Sequence, residues 1–152
     1  MNIYEEQLND FFVDIFNDIL RLEEESLAKG NFKNLSVNEI HVIEAVCDSE
    51  ADGTNTMKLL SNKLMITASS LTIAVKTLEQ KGYLIRQKDK EDKRKVTVVS
   101  TKLGNEAYEH HKLFHKDLIS SVSKTLNEAE MAALTLALGT LHRFFIILKN
   151  KQ

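Results

Sequence analysis

Apolar residues recur along this chain in two different periods. Leu8, Phe12, Ile15, Ile19 and Leu22 fall three or four apart from about residue 4 to 28, the spacing of one helical face, and Gly30 supplies a stop. A second helix is predicted to open at Ser36, with Glu39 three residues on as a capping box, and to carry Ile40, Ile43 and Val46. The polar stretch from Asp48 to Asn55 reads as a loop. Thr56 then caps a short helix with Met57, Leu60 and Leu64, and Thr67 caps another that buries Leu71, Val75 and Leu78 and ends at Gly82. At this point the period drops to two. Tyr83 to Lys88 reads as a strand, Asp89 to Lys95 as a charged turn, and Val96 to Ser100 as a return strand. Helical spacing resumes from Thr101 through Tyr108, Leu113 and Leu118. It appears again from Asn127 through Leu134, Leu138, Leu141, Phe145 and Leu148. The expected fold class is mainly α with a small β-hairpin: six helices and one two-stranded ribbon.

At 152 residues the chain has the length of one ordinary domain, and 43% apolar with 28% charged residues is a globular composition. The absence of proline permits long helices throughout. Cys47 is the single cysteine, so no internal disulfide is possible, which fits a reducing compartment. The N-terminal stretch is acidic and amphipathic and does not read as a signal peptide. Met131 to Leu148 is apolar, but Gly139, His142 and Arg143 interrupt it, so it reads as a buried packing helix instead of a membrane span. A cytoplasmic protein that does not enter the membrane is expected.

The net charge of −2 hides a strong asymmetry. Residues 1–57 hold 3 basic and 13 acidic side chains, a net of −10. Residues 58–102 hold 11 basic and 4 acidic, a net of +7, and residues 103–152 hold 6 and 5. Phosphate responds to the local field and not to the total, so the middle third is a candidate nucleic-acid surface.

A short helix, a tight turn, a second helix and a basic ribbon is the layout of a winged helix-turn-helix, whose second helix enters the major groove. With Leu71, Val75 and Leu78 turned inward, that helix leaves Ser69, Ser70, Thr72, Ile73 and Lys76 outward, with Thr67 at its start. Small hydroxyls let a helix sit deep and bond base edges, and Ile73 can touch a thymine methyl. An ordinary amphipathic surface helix would explain these residues singly, but not the ribbon that follows. Lys88, Lys90, Lys93, Arg94 and Lys95 crowd its tip, where like charges gain nothing unless phosphate faces them. Arg94 suits a narrow minor groove, and Asp92 is placed to hold its guanidinium.

Leu78-Glu-Gln-Lys-Gly-Tyr-Leu-Ile-Arg86, Glu91-Asp-Lys-Arg94 and Ser100-Thr-Lys-Leu-Gly104 resemble, in order and spacing, the helix end, wing and fifth-helix start of the MarR family of bacterial regulators. The resemblance spans essentially the whole chain, 1–152, as one domain. It implies an intertwined homodimer, with 1–34 and 103–152 as dimerisation helices and 35–102 as the DNA-binding lobe. Two such lobes would meet double-stranded DNA bearing an inverted-repeat operator, and the expected role is transcriptional repression.

Three effector readings stay open. Ile15-Phe-Asn17, Ile19-Leu20, Glu23-Glu24, Ser26-Leu27, Glu39-Ile-His-Val-Ile-Glu44 and Phe114-His-Lys116 resemble the MarR-type repressors of fatty-acid synthesis genes in Gram-positive bacteria. That likeness implies acyl carrier protein as co-repressor and an acyl tunnel, for which Phe12, Phe16, Ile19, Ile43 and Leu113 are candidate lining; plain core is the competing reading for each. His111 and His115, four apart on one helical face, can share a metal ion. His41 and a carboxylate from Glu23, Glu24 or Glu25 would complete four ligands, and His41, His111 and His115 resemble the ligands of MarR-type zinc repressors, from which the chain departs at Ile40. The third reading, redox sensing, lacks a first-helix cysteine, and Cys47 reads as a small buried hydrophobe. No phosphate loop, nucleophile elbow or paired catalytic carboxylates are evident, so no enzymatic activity is expected.

Overall fold

The structure, a computed structural model, describes residues 1–151. Six helices and one hairpin follow in order: α1 (Ile3–Lys29), α2 (Val37–Asp52), α3 (Met57–Leu64), α4 (Ala68–Gln80), β1 (Leu84–Lys88), β2 (Val96–Ser100), α5 (Lys102–Thr125) and α6 (Glu128–Lys149). Residues 1–114 form one compact unit and those from 115 onward a second, the boundary falling inside α5.

Caps set the helix starts. Asn2, Ser36 and Asn127 each accept from the backbone three residues on, and Glu5, Glu39 and Glu130 return the bond in full capping boxes. Thr56 and Thr67 cap α3 and α4 by accepting from Leu59 and Ser70. The polar stretch expected as a loop from Asp48 is helical as far as Asp52. The helix stops only at Gly53, whose φ of 75° satisfies the last carbonyls in a left-handed turn. The turn between α3 and α4 is made by Met65 at φ 53°, a conformation costly for any residue with a Cβ.

The core of the first unit is built from α2, α3, α4 and the hairpin. Ile40, Ile43, Val46, Leu60, Leu71, Val75, Leu78, Leu84 and Val98 are fully buried there, joined by Phe32, Leu35 and Ala107. The two strands pair antiparallel with Leu84 opposite Ser100 and Lys88 opposite Val96. Asn55 extends this sheet: its backbone carbonyl accepts from Val98 N–H at 2.9 Å and its side-chain amide donates back to the Val98 carbonyl at 2.8 Å. At the far end of α4, Lys81 donates to Glu39 at 2.7 Å and to the Asn34 carbonyl, while Tyr83 donates to the Asn34 side chain at 2.7 Å. These bonds fix the α1–α2 connection against the end of α4.

In the second unit, α6 has no fully buried residue within the single chain. Most of its apolar side chains are exposed, with Met131 and Leu141 partly buried. By length and composition it is apolar enough to cross a membrane, with a mean hydropathy of 1.7. Long apolar helices of soluble proteins that pack against another copy meet the same criterion.

Candidate nucleic-acid interface

With Leu71, Val75 and Leu78 locked in the core, the opposite face of α4 is fixed outward. Ser69, Ser70, Thr72, Ile73 and Lys76 are all exposed on it, and Thr67 is exposed at its cap. The hydroxyls are not equivalent. Thr67 donates to Ser70 Oγ at 2.9 Å, and Thr72 donates to the Ala68 carbonyl at 2.8 Å, leaving Thr72 no proton for a base.

The hairpin tip is shaped by Asp89, whose carboxylate accepts from the N–H groups of Glu91 at 2.8 Å and Asp92 at 3.3 Å. Those two bonds, Glu91's first, hold the carboxyl below its usual range. Asp92 in turn accepts from Arg94 backbone N–H at 3.1 Å and from its Nε at 3.4 Å, so the anticipated Asp92–Arg94 pairing is present. Arg94 is nonetheless 94% exposed, its remaining guanidinium donors free to face phosphate. Lys88, Lys90 and Lys93 are exposed beside it.

Between α3, α4 and the hairpin lies a cleft of about 730 Å³. Lys58, Arg86 and Lys95 line it together with Thr72, Asp92 and Arg94, and of these cations Lys58 and Arg86 were not singled out from the sequence as facing DNA. Glu79 grips Arg86 through its backbone N–H at 2.7 Å and its Nε at 3.0 Å, which ties β1 to α4 and sets the wing's angle. The alternation of β1 carried the signal for Arg86, because Leu84 inward and Ile85 outward leave it at the sheet edge facing α4.

His41 Nε2 lies 3.2 Å from Glu23 Oε1, and His111 Nε2 lies 4.0 Å from the same oxygen, with the two rings 5.6 Å apart. Of the three glutamates offered by the sequence, Glu23 alone is buried, at 4% exposure. Glu44, which was not anticipated as a ligand, reaches His111 Nε2 at 3.2 Å. His115 follows four residues after His111 on α5 and is half-buried. A carboxylate and two imidazoles converging from three helices are a donor set zinc accepts.

The candidate acyl-tunnel residues differ in exposure. Ile43 is a core residue with no exposure, packed in the first unit. Phe12, Phe16, Ile19 and Leu113 stand open on α1 and α5. A cavity of about 340 Å³ does lie nearby, between Leu22, Ser26 and Gly30 of the α1 end and His110 and Phe114 of α5. Cys47 is half-buried, 3.7 Å from Asn105 Oδ1, and burial pushes its thiol pKa up.

An outward-facing second helix, a basic hairpin beside it and a cationic cleft between them define a winged helix-turn-helix DNA-binding protein. A sequence model of the MarR family matches residues 49–96, the stretch from the end of α2 to the start of β2. The fold superposes on Streptococcus pneumoniae FabT in complex with DNA with a TM-score of 0.89, at 30% identity over 95% of this chain and 99% of that one. An S. aureus MepR–DNA complex matches at TM-score 0.76 and 17% identity, over 89% and 96% of the two chains. A mutant E. coli MarR complexed with operator DNA matches at TM-score 0.67 and 24% identity, over 93% and 99%. A search of curated proteins found no significant match. The chain belongs to the MarR family. It is a DNA-binding transcriptional regulator of that family.

Proposed function

We propose that the protein is a cytoplasmic, homodimeric repressor that occludes promoters carrying an inverted-repeat operator, and that it controls fatty-acid synthesis genes with acyl carrier protein as co-repressor. The observation that carries this reading is the 30% identity to FabT in its DNA complex, sustained over nearly the whole chain. The stretches that resemble repressors of fatty-acid synthesis genes support the finer assignment. In it, α4 contributes Thr67, Ser69, Ser70, Thr72, Ile73 and Lys76 to the major groove. The wing contributes Lys88, Lys90, Lys93 and Arg94 to the backbone and minor groove, with Asp92 holding Arg94. Phe12, Phe16, Ile19, Ile43 and Leu113 would line the site for an acyl chain. The test is operator affinity by fluorescence anisotropy at fixed salt, with and without long-chain acyl carrier protein. Tightening that survives a chelator supports the reading; no response to the acylated carrier sinks the co-repressor assignment.

A zinc-responsive repressor is the second reading, favoured by one observation: buried Glu23 lies between His41 and His111. Here Glu23, His41, His111 and His115 would hold the ion, which would supply a charge-neutralising tie between helices. Tightening by zinc alone that is lost in His111→Ala would establish it over the lipid reading.

A further inference from the structure

We infer that Ile73 reads the C5 methyl of a thymine in each operator half-site. This deepens the proposed function, because it rests on α4 being the major-groove helix. Ile73 is 68% exposed, near the middle of α4, on the face opposite Leu71, Val75 and Leu78. Ser69 stands one turn before it and Lys76 nearly one turn after, so its neighbours on that face are polar or cationic. A protein partner with an apolar groove would leave those groups and the wing lysines stranded; DNA satisfies all of them, with phosphate for Lys76 and base edges for Ser69.

The thymine methyl is the one apolar group the major groove offers, so an exposed isoleucine on this face has one match there. Thr72 reinforces the point. With its hydroxyl proton committed to the Ala68 carbonyl, it approaches DNA without a donor, beside Ile73. The helix thus meets the groove with an apolar step between donors, a pattern that selects an A·T pair with thymine on one particular strand.

Replacing thymine by deoxyuridine removes that methyl and keeps every base-pair hydrogen bond. An operator would be selected from a random duplex pool. Each thymine would then be changed, symmetrically in both half-sites, to deoxyuridine, and dissociation constants measured for the wild type and Ile73→Ala. We expect one symmetric position where loss of the methyl weakens the wild type about fifteen-fold, about fourfold per half-site. The same duplex should bind Ile73→Ala no more weakly than the unmodified one, the signature of a coupled pair. The exposure of Ile73 predicts an unchanged melting temperature for the variant. Selected binding with no sensitive thymine, or a sensitivity that persists in Ile73→Ala, would overturn the inference and leave the regulator standing. Failure to select any duplex would overturn the proposed function and this inference together.

Discussion

Gly104 brings the start of α5 against Tyr83 and Ser100. A Cβ there would collide with the Tyr83 carbonyl oxygen and the Ser100 hydroxyl, neither of which can retreat easily. The Tyr83 carbonyl already accepts from Thr101 N–H at 3.0 Å and the Thr101 hydroxyl at 3.1 Å, so it is held from two sides. Gly104→Ala is therefore expected to cost about 1–3 kcal/mol, the usual range for overpacking, read as a lowered midpoint in urea. An unchanged midpoint would show that α5 enters further from β1. Cys47 gives a second residue-scale outcome. Burial raises its thiol pKa, so the thiolate is scarce at neutral pH and alkylation by iodoacetamide should run well below the rate of a free cysteine. Fast alkylation would restore the redox reading. At this scale the sequence was informative where one face of a helix is dictated by its core. Once Leu71, Val75 and Leu78 are inward, the outward set on α4 follows. It was uninformative about Glu44, because helical spacing along α2 does not by itself show which of its carboxylates meets a histidine of α5.

Among the elements, the α3–α4 turn and the wing make the sharpest predictions. Met65 sits at φ 53° where glycine would be at ease, and its N–H still bonds the Asn62 carbonyl at 3.2 Å. Met65→Gly should remove the left-handed penalty of about 1–2 kcal/mol, offset partly by the freer unfolded chain, for a net gain of a few tenths to 1 kcal/mol. A lower melting temperature would mean that the half-exposed methionine packs better than its exposure implies. In the wing, Arg94→Ala should weaken operator binding with the melting temperature unchanged, because the side chain is 94% exposed and its ion pair is to the neighbouring Asp92. The slope of log affinity against log salt should shrink by about one. An affinity equal to wild type at fixed salt would remove the wing tip from the interface. Element types were legible because capping boxes and the switch from helical to alternating period are local signals. The extension of α2 through Asp52 was not. Asp48, Ser49, Glu50 and Asp52 look like loop residues by composition, yet Ser49 is fully buried and Glu50 accepts from Ser100 N–H, tertiary contacts that no local pattern announces.

For the whole molecule, the exposed apolar surface decides the assembly. Phe11, Phe12, Val13, Ile15 and Phe16 of α1, and Leu136, Phe144, Phe145, Ile146 and Ile147 of α6, are all uncovered in the single chain. Monomeric proteins rarely leave contiguous apolar patches beyond a few hundred Å² in water, so these helices need another surface. A bilayer would accept α6, but α1 spaces Glu5, Glu6, Asp10, Asp14 and Asp18 among its apolar residues, and burying those carboxylates in lipid would cost several kcal/mol each. A second copy accepts both helices, since a two-fold interface matches apolar stripes and leaves the carboxylates at its wet rim. The chain should then sediment at twice its 17.3 kDa without detergent, at every concentration at which it can be followed. Leu136→Glu with Phe145→Glu should shift it towards 17.3 kDa. The change should also loosen operator binding far more than it lowers the lobe's own melting temperature, because one lobe alone loses the effective concentration that tethers it to the second half-site. Sedimentation of the wild type as a monomer, or its recovery only with detergent or liposomes, would refute the dimer and turn attention to α6 as a membrane element.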